Sequence, residues 1–200
     1  MLSLKDLPRP MRIAAGACLV AALCIIPGAG CDTLTEPATP AFTPEQLRDI
    51  VTGRDGTVYD VIEAPFPEEE PREVTGVLNR RGGILRLGNH FLLVPPGAVR
   101  NDTRFTMSVV GEGLLRFDLE AEEHRPKRGR RARQARFHTP VFLLVSYVDA
   151  TNVGDPRDLV ILYEPDDGGP AEEVRTHLAE GQNIVIGRLE HFSRYCLASN

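Results

Sequence analysis

Tryptophan is absent from this 200-residue chain, and aromatic residues make up only 6% of it. Such a composition argues against a large pocket lined by aromatic side chains. Cysteine is also scarce, since four residues are too few for a fold held together by disulfides. The hydrophobic content of 42% is nevertheless enough to build a core. The chain is long enough for one ordinary domain with additional segments.

An excess of basic residues is lacking as well. Lysine and arginine number 23 against 28 acidic residues, and the formal net charge is −5. A globally acidic chain is not expected to be a general nucleic-acid binder. The sequence also contains no P-loop, no GxGxxG and no GxSxG motif. We therefore expect no cofactor and no enzymatic activity on small molecules.

Metal-binding patterns are equally sparse. The five histidines are scattered without paired spacing, and there is no CxxC motif. The stretch DATNVGDPRDLV places Asp149 and Gly154 at the first and sixth positions of a calcium loop. Thr151, Val153 and Val160 then break the ligand pattern. We predict a turn at this stretch and no metal site in the protein.

The first thirty residues have the pattern of a secretory signal peptide. Basic residues precede an uncharged apolar run from Ile13 to Ile26, which is shorter than the ~20 residues that a membrane-spanning helix needs. Small residues at 28–30 follow this run and lead directly into Cys31. The pattern predicts removal of residues 1–30 rather than a lasting membrane span.

The residues around Cys31 resemble a bacterial lipobox, in which signal cleavage exposes a cysteine that carries lipid. Gly28 stands where that pattern usually has leucine, so an ordinary cleavage site is the alternative. Lipid on Cys31 would anchor the protein to a membrane of the cell envelope, inner or outer, on its extracytoplasmic side. Cys18 and Cys24 would leave with the signal peptide. Cys196 would remain, without a disulfide partner, as a buried small hydrophobic residue.

Residues 31–75 are predicted to be a lipidated tether that contains a short helix and an acidic, proline-rich linker. The stretch DTLTEPATPAF is polar and proline-containing, which is typical of a flexible tether. Thr43, Pro44 and Gln46 are suitable capping residues for a short helix that ends at Gly53. Residues 63–73 combine prolines with carboxylates, and this composition favours an exposed linker.

From about Gly76 the pattern changes to short strands. The stretches RFTMSVV and LLRFDLE alternate apolar and polar residues, as half-buried strands do. The run from Val141 to Val148 is continuously apolar, as expected for a strand buried on both faces. Turn residues separate these stretches at close spacing. About eight or nine short strands over 76–200 predict an all-β domain, an antiparallel β-sandwich.

Motifs within 76–200 resemble the ZU-five domain, a module shared by zonula occludens proteins, netrin receptors and ankyrins. The resemblance covers roughly 76–198 and includes a Gly-Gly strand start, a strand that runs into Pro-Pro-Gly-Ala and a late His-Phe-Ser. It implies a β-sandwich fold and a role in scaffolding and protein contact. The matching residues are Gly82, Gly83, Pro95, Pro96, Gly97, Ala98, His191, Phe192 and Ser193.

The His-Phe-Ser tripeptide implies one chemical alternative. Some ZU-five proteins cleave themselves between this phenylalanine and serine, when the serine hydroxyl attacks the preceding carbonyl and the histidine helps to move the proton. The resemblance therefore implies an autoproteolytic domain with Ser193 as nucleophile and His191 as base. In the structural alternative, Phe192 lies in the core and its two neighbours form hydrogen bonds at a strand corner.

A basic run lies between two of the predicted strands, with seven positive residues within the stretch 125–136. It could bind anionic lipid, a polysaccharide or an acidic partner, or it could be a solvated loop. No aromatic residues are interleaved, so base stacking is not supported. The candidate anion-binding residues are Arg125, Lys127, Arg128, Arg130, Arg131, Arg133 and Arg136.

These features predict a lipid-anchored, extracytoplasmic structural or protein-interaction module of a bacterial envelope. Its expected partners are the membrane, through lipid on Cys31, and an unidentified protein or envelope polymer. Nucleic acid is not among the expected partners. Autoproteolysis between Phe192 and Ser193, and anion binding through residues 125–136, are the alternative functions.

Overall fold

The computed structural model describes residues 49–124 and 135–200, and strands dominate this part of the chain. Its only helical element is one 3-10 turn at Pro156–Asp158. Among the described residues there is no helix of the length and apolarity that a membrane crossing requires. The strands are β1 (Ile50–Thr52), β2 (Val58–Val61), β3 (Glu73–Leu78), β4 (Gly83–Leu87), β5 (His90–Val94), β6 (Thr103–Val109), β7 (Arg116–Glu123), β8 (Val141–Ser146), β9 (Leu159–Glu164), β10 (Glu172–Glu173), β11 (Thr176–Ala179), β12 (Ile184–Leu189) and β13 (Arg194–Ser199).

The strands form two antiparallel sheets, and the domain is the all-β sandwich that the sequence predicts. The smaller sheet has five strands in the order β11-β12-β8-β5-β4. The larger sheet has eight, in the order β1-β2-β13-β7-β6-β3, with β9 beside β13 and β10 beside β9. The chain passes from one sheet to the other after β3, β5, β7, β8, β10 and β12, so each sheet is assembled from segments that are far apart in the sequence.

Alternating side chains from the two sheets fill the space between them. On β6 the predicted alternation is confirmed, because Phe105, Met107 and Val109 are buried. On β7, Phe117 and Leu119 are buried in the same way. These side chains belong to one apolar cluster that also contains residues of β4, β5, β8 and β12, so the main core lies between the layers.

A strand replaces the end of the predicted short helix. Most of that helix lies outside the described residues, but at Ile50–Thr52 the prediction is wrong, since these residues form β1 and pair with Val58–Asp60. All three residues of β1 are β-branched and favour extended backbone. Gly56 has a φ of 85°, which allows the tight turn that joins β1 to β2.

The sandwich includes residues that precede the predicted boundary at 76, which falls inside β3. Strand β2 pairs with the C-terminal β13, and the adjoining Ile62 is fully buried. Within the predicted linker 63–73, Ala64 is buried and Phe66 packs against the main core, whereas the glutamates at 68–70 are exposed. Within 76–200 the described residues form ten complete strands, β4 to β13, against the eight or nine predicted for that range, and β1, β2 and the first half of β3 precede it.

Candidate functional site

The His191-Phe192-Ser193 corner connects the two sheets. Strand β12 ends at Leu189 in the smaller sheet, and β13 begins at Arg194 in the larger one. Phe192 is 4% exposed and stands edge-on to Phe105 and Phe137, with ring centroids 5.8 and 4.7 Å away. Packing of this kind holds the corner in place, so the core role considered for Phe192 is confirmed.

The Ser193 hydroxyl is directed at an acidic residue of a neighbouring loop. It donates a hydrogen bond to Oδ1 of Asp166 at 3.3 Å. The backbone carbonyl of the same serine accepts from the amide of Leu119 on β7, at 3.0 Å. Asp166 follows β9 in the turn that leads to β10, so a loop of the larger sheet positions the hydroxyl.

The His191 ring is exposed and packs against two tyrosines. It stands edge-on to Tyr163 with ring centroids 4.7 Å apart. The Tyr195 hydroxyl donates to the backbone carbonyl of His191 at 2.7 Å and lies 3.4 Å from its Nδ1. Burial and the neighbouring Tyr163 raise the pKa of Tyr195, which keeps this hydroxyl protonated and able to donate.

The structure therefore brings His191 and Ser193 to the same corner but gives them different partners. The serine hydroxyl bonds to Asp166, and the histidine contacts Tyr163 and Tyr195. A general base must lie within hydrogen-bond reach of the proton that it removes. In this arrangement the group that accepts the proton of Ser193 in a hydrogen bond is a carboxylate, not the imidazole.

The glycine and proline motifs of the ZU-five resemblance meet in one joint. Gly82 has a φ of 73°, and a Cβ at this position would lie 2.2 Å from the carbonyl oxygen of Val94. Gly97, with a φ of 83°, donates its amide proton to the carbonyl of Arg80 at 2.9 Å. The start of β4 and the turn after β5 therefore pack backbone against backbone, and the predicted turn at Pro95–Gly97 is confirmed.

Most of the basic run and Cys31 lie outside the described residues. Arg136 belongs to the run and is described; its side chain is exposed. The residues on either side of 125–134 form backbone hydrogen bonds with β7 and with the residue that precedes β6. His124 donates its amide proton to Asp102, and Ala135 donates to Ala121, both at 2.8 Å.

Two buried residues, His90 and Cys196, have side chains that can take part in acid-base or thiol chemistry. Burial lowers the pKa of His90 to about 4, although Asp149 acts in the opposite direction. Cys196 is 1% exposed, as predicted for a small buried hydrophobic residue, and burial followed by Glu164 raises the pKa of its thiol. Within the described residues, no group of three or more His, Cys, Asp or Glu could hold a metal ion.

The outer side of the smaller sheet carries an apolar surface that the sequence analysis did not identify. Directly paired residues of antiparallel strands project to the same side, so the strand register defines rows across the sheet. We call two of these rows the apolar face. Its residues are Ile84, Leu93 and Phe142 in one row, and Phe91, Leu144 and Ile186 in the next.

These side chains do not point into the sandwich. Ile84 is 62% exposed, and the other five are half-buried. Neither apolar cluster of the described residues includes any of them. The outer side of the larger sheet is polar instead over β3, β6 and β7, as the outer sides of sandwiches usually are. Its paired residues include Thr75–Thr106, Arg104–Glu122 and Ser108–Asp118.

The sequence signal for this face was the lack of alternation in β5, β8 and β12. The run from Val141 to Val148 is predicted to be buried on both faces, and that prediction is wrong for the outer side. Val141, Leu143 and Val145 are fully buried, whereas Phe142 and Leu144 are only half-buried on the apolar face.

No family model matches this chain, and no curated protein does.

Proposed function

We propose that this protein is a lipid-anchored, extracytoplasmic interaction module of a bacterial cell envelope, without catalysis on small molecules. The observation that carries the proposal is the N-terminal segment, in which a basic start, an apolar run and small residues lead into Cys31. One lipid chain binds a membrane only marginally, whereas two or more hold a protein there stably. Lipidated Cys31 would therefore keep the sandwich at a membrane surface.

The interaction role is supported by the apolar face. Soluble sandwiches usually present polar residues on their outer sides, and large exposed apolar patches mark sites of contact with proteins or membranes. The joint between Gly82 and Val94 and the His191-Phe192-Ser193 corner support a domain of ZU-five type, which is part of this proposal.

Metabolic labelling with a tagged fatty acid tests the anchor. The full chain, expressed in a bacterium, should incorporate the label and sediment with membranes. Cys31→Ser should lose the label, because no thiol remains at the cleavage site. Cys18→Ser is the matched control and should keep it, since this cysteine lies within the signal peptide. A wild-type chain without label, or a labelled Cys31→Ser variant, would contradict the proposal.

Anion binding through residues 125–136 is a second candidate function. The hydrogen bonds of His124 and Ala135 hold the residues on both sides of 125–134 near the same end of β7, and the run 125–136 carries seven basic residues. Binding to heparin or anionic vesicles should then weaken steeply with salt. Stepwise Arg→Ala changes within the run should reduce binding in proportion to the charge removed. Salt-independent binding, or binding that survives those changes, would exclude this function.

A further inference from the structure

We infer that the apolar face of the smaller sheet docks on an anionic lipid bilayer. This inference rests on the proposed function, because the lipid on Cys31 is what would bring the sheet to the membrane. To that proposed function it adds which surface of the domain binds, how the domain is oriented on the membrane, and the chemical class of the partner. The sheet would lie flat, with its outer side at the boundary between headgroups and acyl chains.

The composition of the two rows carries the inference. Each row consists of large apolar side chains and ends at an arginine on one side. Arg86 pairs with Phe91 at the end of one row, with its guanidinium carbon 5.6 Å from the ring centroid. Arg188 pairs with Phe142 in the neighbouring row. Apolar residues bordered by cations are the pattern of interfacial membrane surfaces.

Carboxylates are kept to the border of this face. No aspartate or glutamate pairs within the two rows of described residues. The nearest described ion pair is Arg188 with Glu190, at 3.6 Å and beyond the end of β12, where the glutamate side chain is 75% exposed. Arg188 itself is 39% exposed, so part of its side chain reaches solvent at the border of the apolar face.

The arginines that border the apolar face favour an anionic partner over a neutral one. A protein partner would need a matching acidic, apolar surface, whereas every bilayer with anionic lipids already provides one.

The length of the tether is compatible with this orientation. Residues 32–48 separate Cys31 from the described part of the chain. At ~3.3–3.6 Å per residue they can reach at most about 60 Å. A domain of this size has a radius of gyration of about 15 Å, so the tether is long enough for either sheet to face the membrane. The apolar face is then what selects the orientation.

The absence of tryptophan allows a direct test. Ile84→Trp places one indole on the apolar face at a site that is 62% exposed, so the fold should tolerate it. Thr75→Trp is the matched control on the polar outer side of the larger sheet, where Thr75 is also exposed. Both full-length chains are bound to phosphatidylcholine and phosphatidylglycerol vesicles with and without brominated acyl chains. We expect roughly twofold quenching of Ile84→Trp and none of Thr75→Trp.

Equal quenching of both variants, or none of either, would overturn the docking of this face. So would an Ile84→Trp emission that is shielded but insensitive to bromine, because a protein or the chain's own residues 32–48 would then cover the face. Flotation of the same samples with vesicles reports the anchor separately. A chain that floats without quenching contradicts the docking and leaves the anchor intact, whereas quenching without stable flotation supports the docking and contradicts the anchor.

A charge variant provides a second readout. The double change Arg86→Gln and Arg188→Gln should reduce the quenching of Ile84→Trp at low salt and leave it unchanged at high salt, because salt screens the attraction. Arg104→Gln, on the polar side of the other sheet, is the control and should have no effect. A role for the bordering cations would be contradicted if quenching fell only in the Arg104→Gln control. It would also be contradicted if the double change left quenching unaltered at every salt concentration.

Discussion

The amide of Ser146 donates a hydrogen bond to Nδ1 of His90 at 3.2 Å, inside the sandwich. His90 is 6% exposed, and its ring stands edge-on to Phe117 with centroids 4.9 Å apart. A nitrogen that accepts a backbone proton must be unprotonated, so the fold requires the neutral imidazole. Because burial lowers the pKa of His90 to about 4 from an ordinary value of 6.5, protonation favours the unfolded chain.

This relationship predicts acid-sensitive stability. The contribution of neutral His90 is fully present above pH 6.5 and is lost as the pH falls towards 4. It amounts to on the order of 3 kcal/mol of unfolding free energy. Urea denaturation at pH 7.5 and pH 4.5 should show that His90→Leu loses less stability on acidification than the wild type. Leu92→Ala, a buried neighbour that does not titrate, should be destabilised equally at both pH values. Parallel pH profiles for His90→Leu and the wild type would contradict the prediction.

The joint between β4 and the turn after β5 predicts a large difference between two glycine substitutions. Gly82→Ala would place a Cβ 2.2 Å from the carbonyl oxygen of Val94, a backbone atom that cannot move independently. Gly97 also has a positive φ, but no atom lies within 4 Å of its Cβ position. Gly82→Ala should therefore cost about 3 kcal/mol or more, and Gly97→Ala only about 1–2 kcal/mol of backbone strain. Equal midpoints in urea denaturation would refute this difference.

Local patterns in the sequence were sufficient to predict many strands of the sandwich and the side of each strand that is buried. The alternation around Phe105 and Phe117 reports which side of a strand is buried, and each strand carries that information within itself. The β1–β2 hairpin was missed for the opposite reason. Its place in the sheet depends on pairing with Ala198 and Ser199, far away in the chain, while nearby capping residues favoured a helix.

The candidate site was predictable only in part. The tripeptide at 191–193 identified the corner, but its partners Asp166 and Tyr163 come from a separate segment that no local pattern connects to it. The apolar face was missed because a continuous apolar strand looks the same in sequence whether its outer side is covered or open. Burial of Val145 beside half-exposed Leu144 distinguishes the two cases, and only the assembled sheets show it.

The N-terminal strands predict where a folded domain can begin. A chain that starts at Asp49 keeps β1 and β2, together with the buried Ile62 and the ion pair of Asp49 with Arg116 at 2.8 Å. A chain that starts at Gly76 loses these strands and half of β3, which exposes apolar residues of β13 and β6 to water. We expect cooperative thermal unfolding, followed by circular dichroism, for the first chain only. A cooperative transition for the shorter chain would show that β1 and β2 are dispensable.

The partners of Ser193 predict that the Phe192–Ser193 bond stays intact. Its hydroxyl donates to Asp166, and the imidazole of His191 is turned to Tyr163 and Tyr195, so the histidine that the resemblance assigns as the base is not aligned with the hydroxyl that would start an N-to-O acyl shift. Strand β13 pairs with three neighbours and would stay attached after cleavage, so the mass must be measured under denaturing conditions. We expect one species that retains residues 193–200, with or without hydroxylamine, which would cleave an ester intermediate. A shorter species that disappears in Ser193→Ala would establish autoproteolysis, and Ser199→Ala is the control that should leave such cleavage unchanged.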